Sequence, residues 1–405
     1  MVAPMPPQEQ GAGAIPRVLF AELTGLTASG HQVTVVTVAG PDPAEWSAVE
    51  DLRKTGLEVA AVRREELGRW SWARWKRRWR FASAWLSGKY PWRTVWFWEP
   101  SLQVVLDKLL SERSFDLVII EDNAMGIYKY NTTQPVLFSE HEVRRPRAVN
   151  WRGLIKAPGF KLLLSELDWH RWPRYQRNVW RRFKLIQVFT PYDAAGIKKI
   201  DPALAGRVRV NPFSIELPAE ADPALEEAGT ILFSGNFSHP PNTDGAVWLV
   251  KEIMPLLRQG WPGVRLMIVG SHPPDQVRAL AGEDIIVTGY VPEIEPFLAR
   301  AAVIVAPLRI GGGQRMKVLQ GMAIGKAVVT TPRGAEGLLV TDQSPPLVIA
   351  ESGEEFARVT AALLQDSQAR RVLGKEARDF VMAHFSPAAY ARRLETIYGQ
   401  LVIEA

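Results

Sequence analysis

The amino-acid sequence predicts an α/β protein made of two similar parallel-sheet units, and three observations carry that prediction. The chain has 405 residues, enough for two or three domains at roughly 150 residues each. Short apolar runs rich in β-branched residues alternate with segments whose apolar positions recur at helical spacing, the pattern of a parallel sheet covered on both faces. The alternation stops at an acidic, core-poor stretch over 216–227, with Pro218 and Pro223, and then starts afresh.

In chain order, Val2-Ala3 reads as the end of a first strand, and Gly11-Ala12-Gly13 as a loop with free backbone geometry. Val18, Leu19, Leu23 and Leu26 give a helix from Ile15 that Gly30-His31 stops, and the run from Val33 to Val38 is β-branched enough for a buried strand. A helix over 44–52 leads to Gly56 and a strand at Leu57-Glu58-Val59. Further strands are expected at 117–120, 136–138 and 185–189. After the break come a strand and glycine turn at Ile231-Leu232-Phe233-Ser234-Gly235, a helix over 244–257, and strands at 265–270, 285–289 and 303–307. A glycine loop, a helix over 316–324 and a strand over 327–331 complete the second half. The expected domains are therefore 1–217 and 228–385, with a last helix over 386–405 that could cross back to the first half. A ligand is expected in the cleft where two such domains face each other.

Composition narrows the chemistry. Hydrophobic residues make up 47% and charged residues 23% of the chain, which excludes a largely disordered or fibrous protein. The net charge of +6 permits an anionic partner without requiring one. Cysteine is absent, so disulfides, thiolate metal sites and cysteine nucleophiles are excluded, in keeping with a cytoplasmic location. No apolar run approaches the roughly 20 residues of a membrane-spanning helix, and the first residues show neither the basic nor the apolar region of a secretory signal. No Ser-His-Asp ordering, His-x-x-x-His pair or acidic metal cluster stands out.

The densest signal is the run Gly311-Gly312-Gly313-Gln314-Arg315-Met316-Lys317 opening the helix over 316–324. Glycines between a strand and a helix leave backbone N–H groups at the helix N-terminus, where the dipole favours an anion. Arg315 and Lys317 oppose that dipole unless an anion offsets them, a local conflict typical of functional positions. A plain glycine turn with two solvated cations is the alternative.

The whole run from Pro307 to Val329 resembles the donor-site segment of glycosyltransferase family 4, whose motif reads Gly-Gly-Gly-x-Arg-x-Lys-x-Leu-Glu-Ala-Met-Ala-x-Gly-x-Pro-Val-Val. Phe233-Ser234-Gly235-Asn236-Phe237 with Pro240-Pro241-Asn242, Thr288-Gly289-Tyr290-Val291 and Gly334-Ala335-Glu336-Gly337-Leu338 fall in the family's order. The likeness is strong over 231–338 and weaker before.

The resemblance implies a GT-B fold, two Rossmann-like domains facing across a cleft. It also implies retaining, metal-independent transfer of a sugar from a nucleoside-diphosphate sugar to a glycan, lipid-linked or small-molecule acceptor. Arg315 and Lys317 would meet the charge growing on the leaving diphosphate, and His141 would lie against the donor sugar. Gly13, Gly235, Asn236, Asn242, Tyr290, Gly312, Gly313, Gln320 and Glu336 would line the donor. Glu121 and Asp122, at a strand end, could bind acceptor hydroxyls or be ordinary turn residues. Two departures stand out. Asn236 and Asn242 replace an Arg and a Lys that many members carry, and Gly312 and Gln320 replace the family's Glu-x7-Glu pair. A glutamine oxygen accepts a ribose hydrogen bond more weakly than a carboxylate, so an inactive binding relative is one alternative and a GT-B nucleotide-sugar epimerase another.

Over 70–85, Trp70, Trp72, Trp75 and Trp79 are interleaved with Arg74, Lys76, Arg77 and Arg78. A helix would put Trp72, Trp75 and Trp79 on one face. That face could pack on the first domain or lie on an anionic membrane at the cytoplasmic side. Stacking on nucleic acid is the least expected of its uses.

Overall fold

The computed structural model describes residues 1–9, 14–64, 72–144, 159–339 and 344–403. They fall into two compact units, Met1–Asn211 with Tyr390–Ala405, and Pro212–Ala389.

The first unit holds seven strands: β1 (Val2–Ala3), β2 (Thr34–Ala39), β3 (Glu58–Arg63), β4 (Val118–Glu121), β5 (Val136–Glu140), β6 (Leu185–Val188) and β7 (Val208–Val210). Their order across the sheet is β3-β2-β1-β4-β5-β6-β7, with every pair parallel. The second unit holds six: β8 (Thr230–Ser234), β9 (Arg265–Val269), β10 (Ile285–Gly289), β11 (Val303–Ala306), β12 (Ala327–Thr330) and β13 (Val348–Ile349), ordered β10-β9-β8-β11-β12-β13 and again all parallel. Both sheets are the α/β architecture that the alternating pattern predicts, and in each the order reverses beside the first strand. Loops at the C-terminal ends of strands next to that reversal are where such sheets bind ligands.

The central strands are buried on both faces, as their continuous apolar runs require. Phe138, Ile186 and Trp180 build one core on the first sheet, and Phe233, Leu266, Ile268 and Val305 build the core of the second unit. The helix Ala14–Ala28 packs Leu19 and Leu26 on the other face of the first sheet. There they meet Tyr390, Leu394, Ile397 and Leu401 of the final helix Pro387–Ile403.

Three details depart from the sequence reading. Residues 212–217 group with the second unit, because the Phe213 N–H donates to Gln314 Oε1 (3.1 Å) and the Ile215 N–H to the Phe385 carbonyl (2.9 Å). The expected linker is fastened at its end, where Glu226 accepts from Lys326 (3.0 Å) and Arg370 (2.6 Å), and Glu227 from Arg300 (2.7 Å). The helix expected over 244–257 begins at Pro240 and passes through a π-helical turn, Leu249–Ile253, before continuing as Met254–Gly260. Pro255 supplies no N–H to the ladder, and a wide turn just before it accommodates that loss.

The helix Trp72–Leu86 forms as expected, but its tryptophans do not pack inward. Trp72, Trp75 and Trp79 are 83%, 56% and 63% exposed, and Lys76 and Arg78 beside them are exposed too. The helix is anchored instead by buried Phe81 and by Trp85, whose indole N–H donates to Asp168 (2.8 Å). Packing against the first unit is thereby overturned for this face. Trp70 lies outside the described residues.

Candidate active site

The cations of the second unit stand at the N-terminus of the helix Met316–Ala323. Arg315 is its cap residue in extended conformation, and Lys317 lies in its first turn. The Lys317 Nζ donates to Asn242 Oδ1 at 2.5 Å and sits 4.6 Å from the centre of the Phe233 ring. Asn242 in turn donates from Nδ2 to the Asn236 carbonyl at 2.6 Å, which ties the loop after β8 to the helix. Desolvation, then the neighbouring positive charge of Arg315, holds the Lys317 amine well below the usual lysine range. An ammonium so placed gains from any anion that arrives.

Gly235 closes this arrangement from below. A Cβ at that position would meet Asn242 Nδ2 and Lys317 Nζ at 2.8 Å each, so only glycine lets them approach. Gly313 adopts φ +83° in the loop before Arg315, and Gly312 is exposed beside it. Gln320 is half-buried one helical turn further on. Asn236 points its side-chain oxygen to the Ser238 N–H (3.0 Å) and hydroxyl (2.7 Å). Glu336 accepts both of its hydrogen bonds from Arg333 Nη1 at 3.1 Å, and Tyr290 projects from the end of β10 with its side chain exposed. The structure thus gathers Gly235, Asn236, Asn242 and Lys317 through direct contacts. The motif reading missed Gln314, whose amide both donates to the Phe213 carbonyl (2.9 Å) and accepts from the Phe213 N–H, pinning the glycine loop. Its place inside the glycine run was the available signal.

In the first unit the strand ends carry a different kind of group. His141 follows β5, and its Nε2 lies 2.7 Å from Glu121 Oε2 at the end of β4. The two side chains are 6% and 0% exposed. The imidazole stands edge-on to Phe189, ring centres 4.9 Å apart. Burial works against a charged imidazole, but the hydrogen bond and charge of Glu121 override it and raise the His141 pKa.

Asp122 has φ +72°, caps the short turn Asn123–Ile127 through the Ala124 N–H (2.8 Å) and faces Arg93 (3.4 Å). Against its burial, Arg93 and then His141 keep this carboxyl below the usual range. Glu140 accepts from Asn123 Nδ2 (2.8 Å), Trp180 Nε1 (2.8 Å) and the Glu142 N–H (3.2 Å). Burial, then the nearby Asp122 charge, pushes the Glu140 carboxyl up to about 7. Glu121 and Asp122 are therefore buried and engaged with protein partners, not turned outward as acceptor contacts would be. Gly11 and Gly13 lie outside the described residues.

Residues 228–366 match the family model described as glycosyl transferases group 1. Among curated relatives, a lipopolysaccharide core biosynthesis mannosyltransferase of Rhizobium leguminosarum is 28% identical over 176 residues, 42% of this chain and 50% of that protein. An uncharacterized glycosyltransferase of Methanocaldococcus jannaschii is 29% identical over 93 residues, 23% of this chain and 24% of that protein. The chain thus spans at most half the length of these relatives. Among solved structures, Anabaena HepE in complex with UDP and glucose superposes with a TM-score of 0.64 at 12% identity, covering 98% of both chains. Sucrose-phosphate synthase from Thermosynechococcus elongatus does so at 0.66 and 16% identity, covering 97% of this chain and 95% of the other. These two likenesses concern the fold.

Proposed function

With residues 228–366 forming a group 1 glycosyl transferase domain on a GT-B fold, we propose that this chain transfers a sugar from a nucleoside-diphosphate donor to an acceptor, with retention at the anomeric carbon. The observation that carries the reading is Lys317, partly buried beside Arg315 with its ammonium bonded to a neutral amide. A diphosphate in that position would receive two fixed cations and the N–H groups of the helix Met316–Ala323, which stabilise charge as it develops on the leaving oxygen. Arg315 would grip phosphate oxygens as a fork and Lys317 as a point charge, doing together what a divalent metal does elsewhere. In the step itself the bond from anomeric carbon to diphosphate oxygen breaks and a bond to the acceptor oxygen forms on the same face. The acceptor proton passes to the departing diphosphate, so no protein nucleophile is called for. Gln320 and Glu336 fall to the nucleoside and sugar side of the donor, and Tyr290 to the base.

Isothermal titration against a panel of nucleoside diphosphates tests this, followed by mass spectrometry of products from a donor and acceptor array. One nucleotide should bind and one donor should be consumed only with acceptor present. Binding of none would favour an inactive relative, as Gln320 would suit, and consumption without acceptor would favour an epimerase.

The exposed face of Trp72, Trp75 and Trp79, flanked by Lys76 and Arg78, further supports a peripheral place on an anionic membrane and hence a lipid-linked acceptor. Among the described residues no helix is long and apolar enough to cross a membrane. Flotation with vesicles of phosphatidylglycerol should carry the protein upward, and the triple alanine variant should stay behind. Equal flotation of both removes the membrane reading.

A further inference from the structure

The first unit contains an ionisable group that neither the motif nor the proposed transfer uses. Glu22, on the helix Ala14–Ala28, is 1% exposed. It falls within the apolar stripe of Val18, Leu19, Leu23 and Leu26, so the helix carries a carboxyl into the core. That carboxyl interacts with the Glu121 carboxyl and with the Tyr390 phenol, and Glu121 Oε2 meets His141. Behind them the Tyr390 hydroxyl accepts from Gln187 Nε2 (3.1 Å), Gln187 Oε1 accepts from Asn211 Nδ2 (3.1 Å), and Asn211 Oδ1 accepts from Arg393 Nε (2.8 Å).

Two interacting buried carboxyls strongly disfavour both being ionised. Burial, then the Glu121 charge, raises the Glu22 pKa well above the carboxylate range and favours its protonated form. Next to it, against the burial of the ring, the hydrogen bond and charge of Glu121 favour the charged imidazole of His141.

We propose that Glu121, backed by Glu22, is a positioning residue for the transfer reaction, committing the Nε2 of His141 inward so that Nδ1 is the nitrogen presented to substrate. A ring that donates from one nitrogen to a carboxylate has a defined role at the other, an acceptor when neutral and a donor when protonated. Phe189 packs edge-on against the same ring. The titratable neighbours are Asp122 and Glu140 from the strand ends, Glu22 from its helix, Tyr390 and Tyr398 from the final helix and the Met1 nitrogen just before β1. Nδ1–H of such an imidazolium would donate to a hydroxyl of the donor sugar, which makes Glu121 a determinant of reactivity that never touches a ligand.

This inference rests on the transfer reading for its kinetic half alone. The chain has six histidines, so spectra of the ligand-free protein labelled with 15N-histidine are tractable, with His141→Gln giving the assignment. In the wild type the Nε2 of His141 should keep its proton across the accessible pH range and the ring should titrate above a free histidine. In Glu121→Gln the titration should move down by about one to three pH units, the loss of one adjacent opposite charge. Glu22→Gln, which replaces a neutral acid by a neutral amide, should leave it in place. An unprotonated Nε2 at neutral pH in the wild type overturns the proposal even if no variant folds. So does an unshifted titration in Glu121→Gln, or a shift in Glu22→Gln as large as in Glu121→Gln. In the transfer assay Glu121→Gln should lower kcat about tenfold or more with donor KM nearly unchanged. An unchanged kcat in an active enzyme overturns the positioning role, whereas a wild type that consumes no donor overturns the transfer reading and leaves the spectra to decide the geometry.

Discussion

At the end of β8 and before the helix Met316–Ala323, the second unit assembles cations around a neutral amide and glycines; at the ends of β4 and β5, the first unit assembles carboxylates around a histidine. Both groups sit where parallel sheets bind ligands, yet they handle charge differently. Lys317 is partly buried with Asn242 as its hydrogen-bond partner, and its amine is held toward the neutral form. His141, by contrast, is already paired with a carboxyl, that of Glu121 at 2.7 Å, and its imidazole is held toward the charged form. The difference teaches that a ligand should reorganise charge in the second unit and find it already arranged in the first.

The strongest way to break that contrast is Arg315→Ala. Donor affinity should fall by about 100-fold, as when a fixed charge-stabilising donor is removed, with melting temperature nearly unchanged; calorimetry with the cognate nucleoside diphosphate would show unaltered binding if the cation cradle were decorative. Next comes the pH dependence of the first unit. Glu140 has its folded pKa raised from 4.5 to about 7, so its stabilising contribution is present below the unfolded value and is lost as pH rises through about 7. Over that window the wild type should lose up to about 3 kcal/mol of stability that Glu140→Gln does not lose, as read from denaturant unfolding at a series of pH values. Parallel curves for the two proteins would remove Glu140 from the titrating set.

Gly235→Ala is expected to be smaller, costing about 1–3 kcal/mol because a methyl group would press on both Lys317 and Asn242. Thermal melting and donor titration should fall together, and a variant with native donor affinity would show that the approach of the two side chains is unimportant. The mildest change is Gln320→Glu. A charged acceptor should keep or raise donor affinity, by about tenfold at most, and complete loss of activity would mean that the position has been put to another use.

Much of this molecule could be read before the structure. β-branched runs such as the one ending at Val38 and glycine stops such as Gly30 predict strands and helix ends because those effects are local. The cation pair Arg315 and Lys317 was legible because both residues lie within one turn of a recognisable loop. Glu22 was not read, although a lone carboxyl in an apolar helical stripe is a visible anomaly. Its meaning depends on Glu121 and Tyr390, 99 and 368 positions away in the chain, and no periodicity encodes such a meeting. Likewise the spacing of Trp72, Trp75 and Trp79 shows that they share a face, while only the packing of Phe81 and Trp85 decides that this face is the outer one. Asp122 illustrates the same limit: a carboxylate at a strand end reads as a ligand contact until Arg93 and the Ala124 N–H are seen to occupy it.

The return of the final helix has a consequence for synthesis. Leu19, Ile119, Leu137 and Leu185 form an apolar face that Tyr390, Leu394, Ile397 and Leu401 cover, and those four are translated only after the entire second unit. On the ribosome the earlier-made half must therefore wait with a greasy flank uncovered while its neighbour folds, a natural binding opportunity for chaperones. Any label or fusion placed ahead of Tyr390 would prolong that wait.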